Sequence, residues 1–355
     1  MTGLLDAVRI AGAAVAPHRL FQLNYFVTAR CNARCRMCFY LDAIEKANEN
    51  LDRELRIDEI RRIAAGLGHV PYLALSGGEP FLRRDLFDLL DALAEGVRPV
   101  MVSLPTNGAY PDRVEAVIGA VAGRHPATQF DVQLSLDGPE AVHDSVRRVP
   151  GLFRRLQDTY GRVRALQERA RNVGLKIVIT YSTFNQDHVG ELLDHLADHM
   201  PADRVILAKV HGNCVEDARN GLDLGCFRQL LRRADALNRS GQARRSMVTS
   251  LGLRVKRGKE RLRGRFDREQ DLGRFCGSGR KLAVLTETGD VYPCEVLDRR
   301  LGNVRDFDYD LPRLLEVGMA PLDREGVIKS CHCDWGCAQN IAMISSVRFW
   351  PSLIR

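Results

Sequence analysis

The sequence predicts an α/β fold in which six βα units form a partial barrel, followed by a small cysteine-rich α+β extension. Three observations lead there. Short strand-like runs alternate with helical patterns from about residue 20 to residue 210, the runs are apolar as strands covered on both faces are, and beyond residue 212 the alternation gives way to a cysteine-bearing tail. Six such units suit a partial (β/α)6 TIM-like barrel better than a flat sheet.

Taken in order, GLLDAVRIAGAAVA before Pro17 has amphipathic spacing, so residues 1–18 are read as an N-terminal helix that packs on the barrel rather than lying on a membrane. The runs LFQLNYFV, YLALS, PVMVSLP, FDVQLSL, LKIVITYS and RVILAKV then place the barrel at residues 19–212. Between them IDEIRRIAAGL carries apolar residues three and four apart, and DHVGELLDHLADH stops before Pro201. Residues 213–270 read as a linker, a helix (GCFRQLLRRADALN) followed by a basic run. From Arg254 to Arg268 that run sets eight basic residues against Glu260 and Asp267, a local excess of +6 that accounts for most of the net charge of +7. Its charge suits phosphate or an acidic partner, but it is read as a solvated face, and no nucleic-acid partner is expected. In residues 271–355, KLAVLTETGDVYPC reads as a hairpin turning at Thr288, Gly289 and Asp290.

A chain of 355 residues with 45% hydrophobic content has room for one large core and an appendage. Asp6 and Arg9 interrupt the apolar N-terminus, so no secretory signal is read there, and no run of about 18 apolar residues predicts a membrane span. The ten cysteines are therefore expected in the cytoplasm, reduced and free for metal.

The chemistry concentrates in TARCNARCRMCFY, where Cys31, Cys35 and Cys38 follow the first strand and so stand at the barrel mouth. Three thiols leave a metal one position short of closure, as a reactive site requires; a structural zinc would need a fourth ligand from elsewhere. The C-x3-C-x2-C spacing resembles the radical S-adenosylmethionine (SAM) superfamily, in which such thiols hold three irons of a 4Fe-4S cluster and the fourth iron binds SAM. The resemblance extends over about residues 20 to 210. It implies that Met37 lies beside the adenine and that Gly77, Gly78, Glu79 and Pro80 form the turn that meets the SAM amino group. Thr106, Asn107 and Gly108, then Ser135, Asp137 and Gly138, match its later motifs. Arg147 matches an arginine that pairs with the SAM carboxylate, a task for a bidentate fork that Arg148 could equally perform. The implied mechanism is reductive cleavage of SAM to a 5′-deoxyadenosyl radical, fed by a flavodoxin- or ferredoxin-type reductant, and hydrogen abstraction from a substrate.

The second cysteine set is Cys276 and Cys294, spaced C-x12-G-x4-C around Gly289, followed by Cys331, Cys333 and Cys337. It resembles the twitch or SPASM-like extension that binds an auxiliary 4Fe-4S cluster. Cys276 and Cys294 with two of the final three are expected to bind it, Cys333 and Cys337 ahead of Cys331; a four-thiolate zinc site is the competing use. Gln133, Tyr181, Lys209 and His211 are candidate pocket residues, and Cys214 a candidate hydrogen donor. Cys31 comes too early for the peptide-recognition domain of many peptide-modifying relatives. The expected substrate is therefore a small molecule (a sugar, aminocyclitol or lipid-linked intermediate), possession of an auxiliary cluster fitting a two-electron oxidation. Peptide or protein maturation is the alternative, and a non-catalytic metal-binding scaffold the reading from another class.

Overall fold

The computed structural model describes residues 2–16, 19–49, 51–212, 214, 216–240, 258, 275–331 and 335–351. The basic residues of the 254–268 run, and Cys333, lie outside the described residues. Helix α1 (Thr2–Val15) precedes strand β1 (Gln22–Thr28). There follow α2 (Leu41–Glu45), α3 (Ile57–Leu67), β2 (Tyr72–Gly77), α4 (Leu86–Val97), β3 (Met101–Thr106), α5 (Pro111–Arg124), β4 (Gln129–Ser135), α6 (Glu140–Arg147), α7 (Leu152–Arg169), β5 (Val173–Tyr181), α8 (Val189–Asp198), β6 (Arg204–Lys209) and α9 (Leu224–Ser240). The C-terminal part adds β7 (Leu282–Leu285), β8 (Asp290–Tyr292), β9 (Gly302–Asn303), α10 (Leu311–Glu325) and α11 (Gly336–Ser345).

The six barrel strands pair parallel in sequence order, so each crossover helix lands on the same face. The local signals act as expected. Glu59 reaches back to accept the Arg56 N–H at 2.8 Å at the start of α3, and Gly68, with φ of 62°, stops that helix in a backbone geometry that favours glycine. Along β5, Val173, Leu175, Ile177, Ile179 and Tyr181 enter the main core, and along β4, Phe130, Val132 and Leu134 do.

The alternate residues correct the expectation of strands apolar on both faces. The inner face carries Gln22 and Asn24 on β1, Asp131 and Gln133 on β4 and Lys176 on β5; Asp131 and Lys176 form a buried ion pair, and Tyr72 Oη donates to Ser103 Oγ at 3.0 Å. Only the helix-facing side must be apolar, because side chains alternate and the inner side of an open barrel can hold polar groups that bond to each other. The same parity moves Tyr181 from the expected pocket into the core, where its ring lies 5.0 Å from that of Phe227 and its hydroxyl donates to Asp223 O at 2.9 Å.

The cysteine-rich tail continues the barrel sheet. Strand β7 pairs parallel with β1 over Gln22–Tyr25, β8 and β9 follow antiparallel, and the nine strands run β6-β5-β4-β3-β2-β1-β7-β8-β9. Side chains reinforce the join. Arg305 makes a two-point bond to the buried Glu59 carboxylate of α3, at 2.7 and 3.1 Å, and Tyr309 Oη donates to the same carboxylate at 2.8 Å. Burial works against the Glu59 charge, but these donors and the Arg56 N–H outweigh it and hold the carboxyl down at about 2. Helix α1 packs Ile10, Ala13 and Ala14 against Phe21, Leu282 and Ile341, and Lys281 Nζ donates to the carbonyls of Ala13, at 2.7 Å, and Ala16 near the end of that helix. Among the described residues no helix is long and apolar enough to cross a membrane.

Candidate active site

The loop that leaves β1 carries Cys31, Cys35 and Cys38, and the turn that leaves β2 is stitched to its root. Gly78 N–H donates to Thr28 O and Glu79 N–H to Arg30 O, both at 2.8 Å. A Cβ on Gly77 would lie 2.4 Å from Thr28 O and one on Gly78 2.1 Å from Arg30 O. Both glycines are thus required by the cysteine loop itself. Pro80 is buried and opens the next turn.

Glu79 is fully buried. Its carboxylate accepts from Thr106 Oγ1 at 2.8 Å, Asn107 N–H at 2.8 Å and Phe81 N–H at 3.2 Å, which fastens the end of β3 to that of β2. Burial pushes its pKa up to about 7 against the pull of those donors. Asn107 extends this network to the cysteine loop, with Nδ2 donating to Asn32 Oδ1 at 2.8 Å. Asn32, which the spacing of the motif did not single out, is therefore part of the site.

Across the mouth, Asp137 is buried at the end of β4. One oxygen accepts from Thr180 N–H at 2.9 Å; the other takes Arg147 Nε at 2.7 Å and Nη2 at 2.6 Å. The fork of Arg147 thus rests on Asp137, while its Nη1 points to Cys35 Sγ at 3.7 Å. Arg148 pairs with Glu216, which also accepts from Arg36 Nε at 2.9 Å. Ser135 is half-buried at the end of β4, opposite Val178. Met37 is buried with Val146, Val210 and Ala218, and Cys214 Sγ donates to its carbonyl at 3.2 Å.

Each thiol of the triad is driven upward in pKa, Cys31 to about 12, Cys38 to about 11, and Cys35 also, by burial first and then by neighbouring negative charge, with Cys35 among the neighbours of both other thiols. Each also accepts a backbone N–H, that of Ala33 to Cys31 at 3.4 Å and that of Tyr40 to Cys38 among them. In the second set, Cys294 is raised to about 11 by burial, accepts the N–H groups of Val296 and Leu297, and feels Cys276 and Cys331. Cys337 packs in the same apolar cluster as Cys276 and Cys294. Cys331 and Cys337 thus both lie near this pair, and Cys333, which the sequence also favoured, lies outside the described residues.

Residues 25–198 match the Radical SAM superfamily. That stretch is a Radical SAM domain. It is 34% identical over 205 residues to pre-heme d1 synthase of Dinoroseobacter shibae, a match that covers 56% of this chain and 45% of that one. It is 29% identical over 302 residues to the mycofactocin maturase MftC of Mycobacterium ulcerans, covering 79% of this chain and 71% of that one. Its fold superposes on SuiB of Streptococcus suis with a TM-score of 0.60 at 17% identity, over 96% of this chain and 75% of that one. SuiB has also been solved with S-adenosylmethionine and with its precursor peptide SuiA. The barrel here is that of a radical SAM enzyme, and radical SAM enzymes work with a 4Fe-4S cluster and SAM.

The residues present fit that requirement. Buried thiols close enough to raise one another need a compensating cation to ionise, and iron supplies it. Backbone N–H groups aimed at the sulfurs are donors of the kind that tune such clusters. Among the described residues no three His, Cys, Asp or Glu side chains close to the span of a single ion, so the fit rests on this donor chemistry.

Proposed function

We propose that Cys31, Cys35 and Cys38 hold the 4Fe-4S cluster, that SAM lies among Met37, the Gly77–Pro80 turn, Asn107, Ser135 and the Asp137–Arg147 pair, and that the second cysteine set holds an auxiliary cluster. When bound, these groups supply a 5′-deoxyadenosyl radical that takes a hydrogen atom from the substrate, and a nearby acceptor for the electron that remains in a two-electron oxidation. The chain's own residues fix the positions. Glu79 and Asp137, each buried and bonded on both oxygens, tie the ends of β2 to β3 and of β4 to β5, so the mouth is set before any ligand arrives. Arg147 places a guanidinium edge beside Cys35 and so favours its thiolate.

The observation that carries this reading is the placement of both cysteine sets around one strand, the first on the loop after β1 and the second about β7, which pairs with β1. The polar inner face supports a polar small-molecule substrate, such as a sugar or aminocyclitol, over a lipid tail. Peptide or protein maturation is the second reading; it is favoured by the match to MftC, which spans most of both chains. Reduced thiols in both sets suit the cytoplasm and a flavodoxin- or ferredoxin-type donor.

The test is anaerobic reconstitution with iron and sulfide, metal counting, and a dithionite-driven assay for 5′-deoxyadenosine. About eight irons per chain are expected, four for each cubane. A variant with Cys31, Cys35 and Cys38 all changed to Ala should lose about half of them and all SAM cleavage. Zinc in place of iron, or an intact cluster that cleaves no SAM, overturns the proposal.

A further inference from the structure

Between the two cysteine sets, side chains from four segments converge on one point. Glu295 follows Cys294, and its side chain is only 9% exposed. Its Oε1 accepts from Asn24 Nδ2 at 2.6 Å, and Asn24 Oδ1 accepts from Gln22 Nε2 at 2.6 Å, so the inner face of β1 fixes the carboxylate. The other oxygen, Oε2, faces His211 Nε2 across 3.6 Å, beyond the limit of about 3.2 Å for a good N–H···O bond. That imidazole nitrogen is buried and finds no hydrogen-bond partner among the described residues. The His211 ring is tilted over Phe39 at 5.1 Å and faces Trp335 at 6.5 Å. Gly212, at φ of 78°, lets the chain press this close, since a Cβ there would lie 2.6 Å from Phe39 Cβ. Phe39 adjoins Cys38, and Trp335 stands two residues before Cys337.

We propose that this slot is the recognition site for an amine or other N–H-donating group of the substrate, with Glu295 Oε2 and His211 Nε2 as its two acceptors and Phe39 and Trp335 as its walls. The inference rests on the radical SAM reading above and adds the chemical class to it. An ammonium donates three hydrogen bonds, and two of them satisfy the pair of atoms the protein leaves facing each other. The aromatic walls add cation–π attraction to the same group. A carboxylate or phosphate would meet the Glu295 charge in a desolvated seam, and an apolar group would leave both acceptors unpaired; either is rejected more strongly than a size mismatch would be.

The test uses the reconstituted, SAM-loaded chain with Trp350→Phe, which leaves Trp335 as the one tryptophan of two to report by fluorescence. Cyclohexylamine, cyclohexanol and cyclohexanecarboxylate, alike in size, are titrated in turn. The amine should shift the emission at a concentration about tenfold or more below that of the alcohol, with the carboxylate weakest. Glu295→Gln should shrink the preference for the amine to within about threefold, with iron content and far-UV circular dichroism as the check on folding, and His211→Phe, which keeps the stacked ring, should weaken the amine several-fold. Equal responses to all three probes, no response to the amine, or a preference for the carboxylate overturns the proposal. The two readings fail separately: absence of 5′-deoxyadenosine removes the radical chemistry and leaves the amine preference standing, while SAM cleavage without that preference removes this site alone.

Discussion

The two cysteine sets lie about one strand, β1, but are assembled in opposite ways. Cys31, Cys35 and Cys38 lie within eight residues of one loop. Their surroundings come from the turns after β2, β3 and β4, tied together by two buried carboxylates. Cys276, Cys294, Cys331 and Cys337 come from separated stretches of the C-terminal part: Cys276 and Cys294 bracket the β7–β8 hairpin, Cys331 lies near that pair, and Cys337 shares its apolar cluster. The first set is a local motif with tertiary support; the second is a tertiary product throughout. Damage to the barrel mouth should therefore disable the first set alone, and damage to the join should loosen the second.

The largest effect is expected from Cys276→Ala with Cys294→Ala. Iron should fall by about four per chain while dithionite-driven SAM cleavage persists within a few-fold; loss of cleavage as well would break the independence of the two sets. Gly78→Ala comes next. Its methyl meets Arg30 O at 2.1 Å, so the root of the cysteine loop must move, and a loss of about 3 kcal/mol is expected, read by urea unfolding, together with loss of the first cluster's iron. Glu79→Gln should cost about 1 to 3 kcal/mol, because an amide nitrogen replaces one acceptor oxygen among three donors. It should raise the concentration of SAM needed for half-maximal cleavage and leave the second set's iron in place.

The smallest effect, at the join, carries a pH signature. The Glu59 carboxyl sits at about 2 in the fold, against about 4.3 for a free glutamate. Its stabilisation is complete above the unfolded value and drains away as pH falls toward 2. Glu59→Gln should cost about 1 to 2 kcal/mol at pH 7, and the gap from wild type should narrow below pH 4.5, measured as urea midpoints across that range. A gap that widens in acid would reverse the assignment.

Much of this was legible in the chain. The six strands and the hairpin follow from local hydrophobic runs and turn residues, and the triad from spacing within one loop. What stayed hidden needed parity or distance. The apolar runs do not reveal that Asp131 and Lys176 pair inside the barrel or that Tyr181 faces the helices, because a run with one polar residue reads the same whichever face is inside. The glycines of the β2 turn read as part of the turn that meets SAM, and the backbone of Thr28 and Arg30 that crowds them lies far earlier in the chain. Arg147 carried the right chemistry, but its partner Asp137, ten residues away, was legible only as another member of the site. Glu295 beside Cys294 had a readable signal, a lone acid next to a thiol; Asn24, 271 residues away, gave it a meaning no window could show.

The parallel pairing of β7 with β1 has a consequence for how the chain can be divided. Without residues 275–351, the backbone of Gln22–Tyr25 would become a bare sheet edge, flanked by Leu20, Phe21, Leu23 and Tyr25. Unpaired strands of that composition recruit other strands, so the barrel produced alone would self-associate instead of remaining a monomeric half-enzyme.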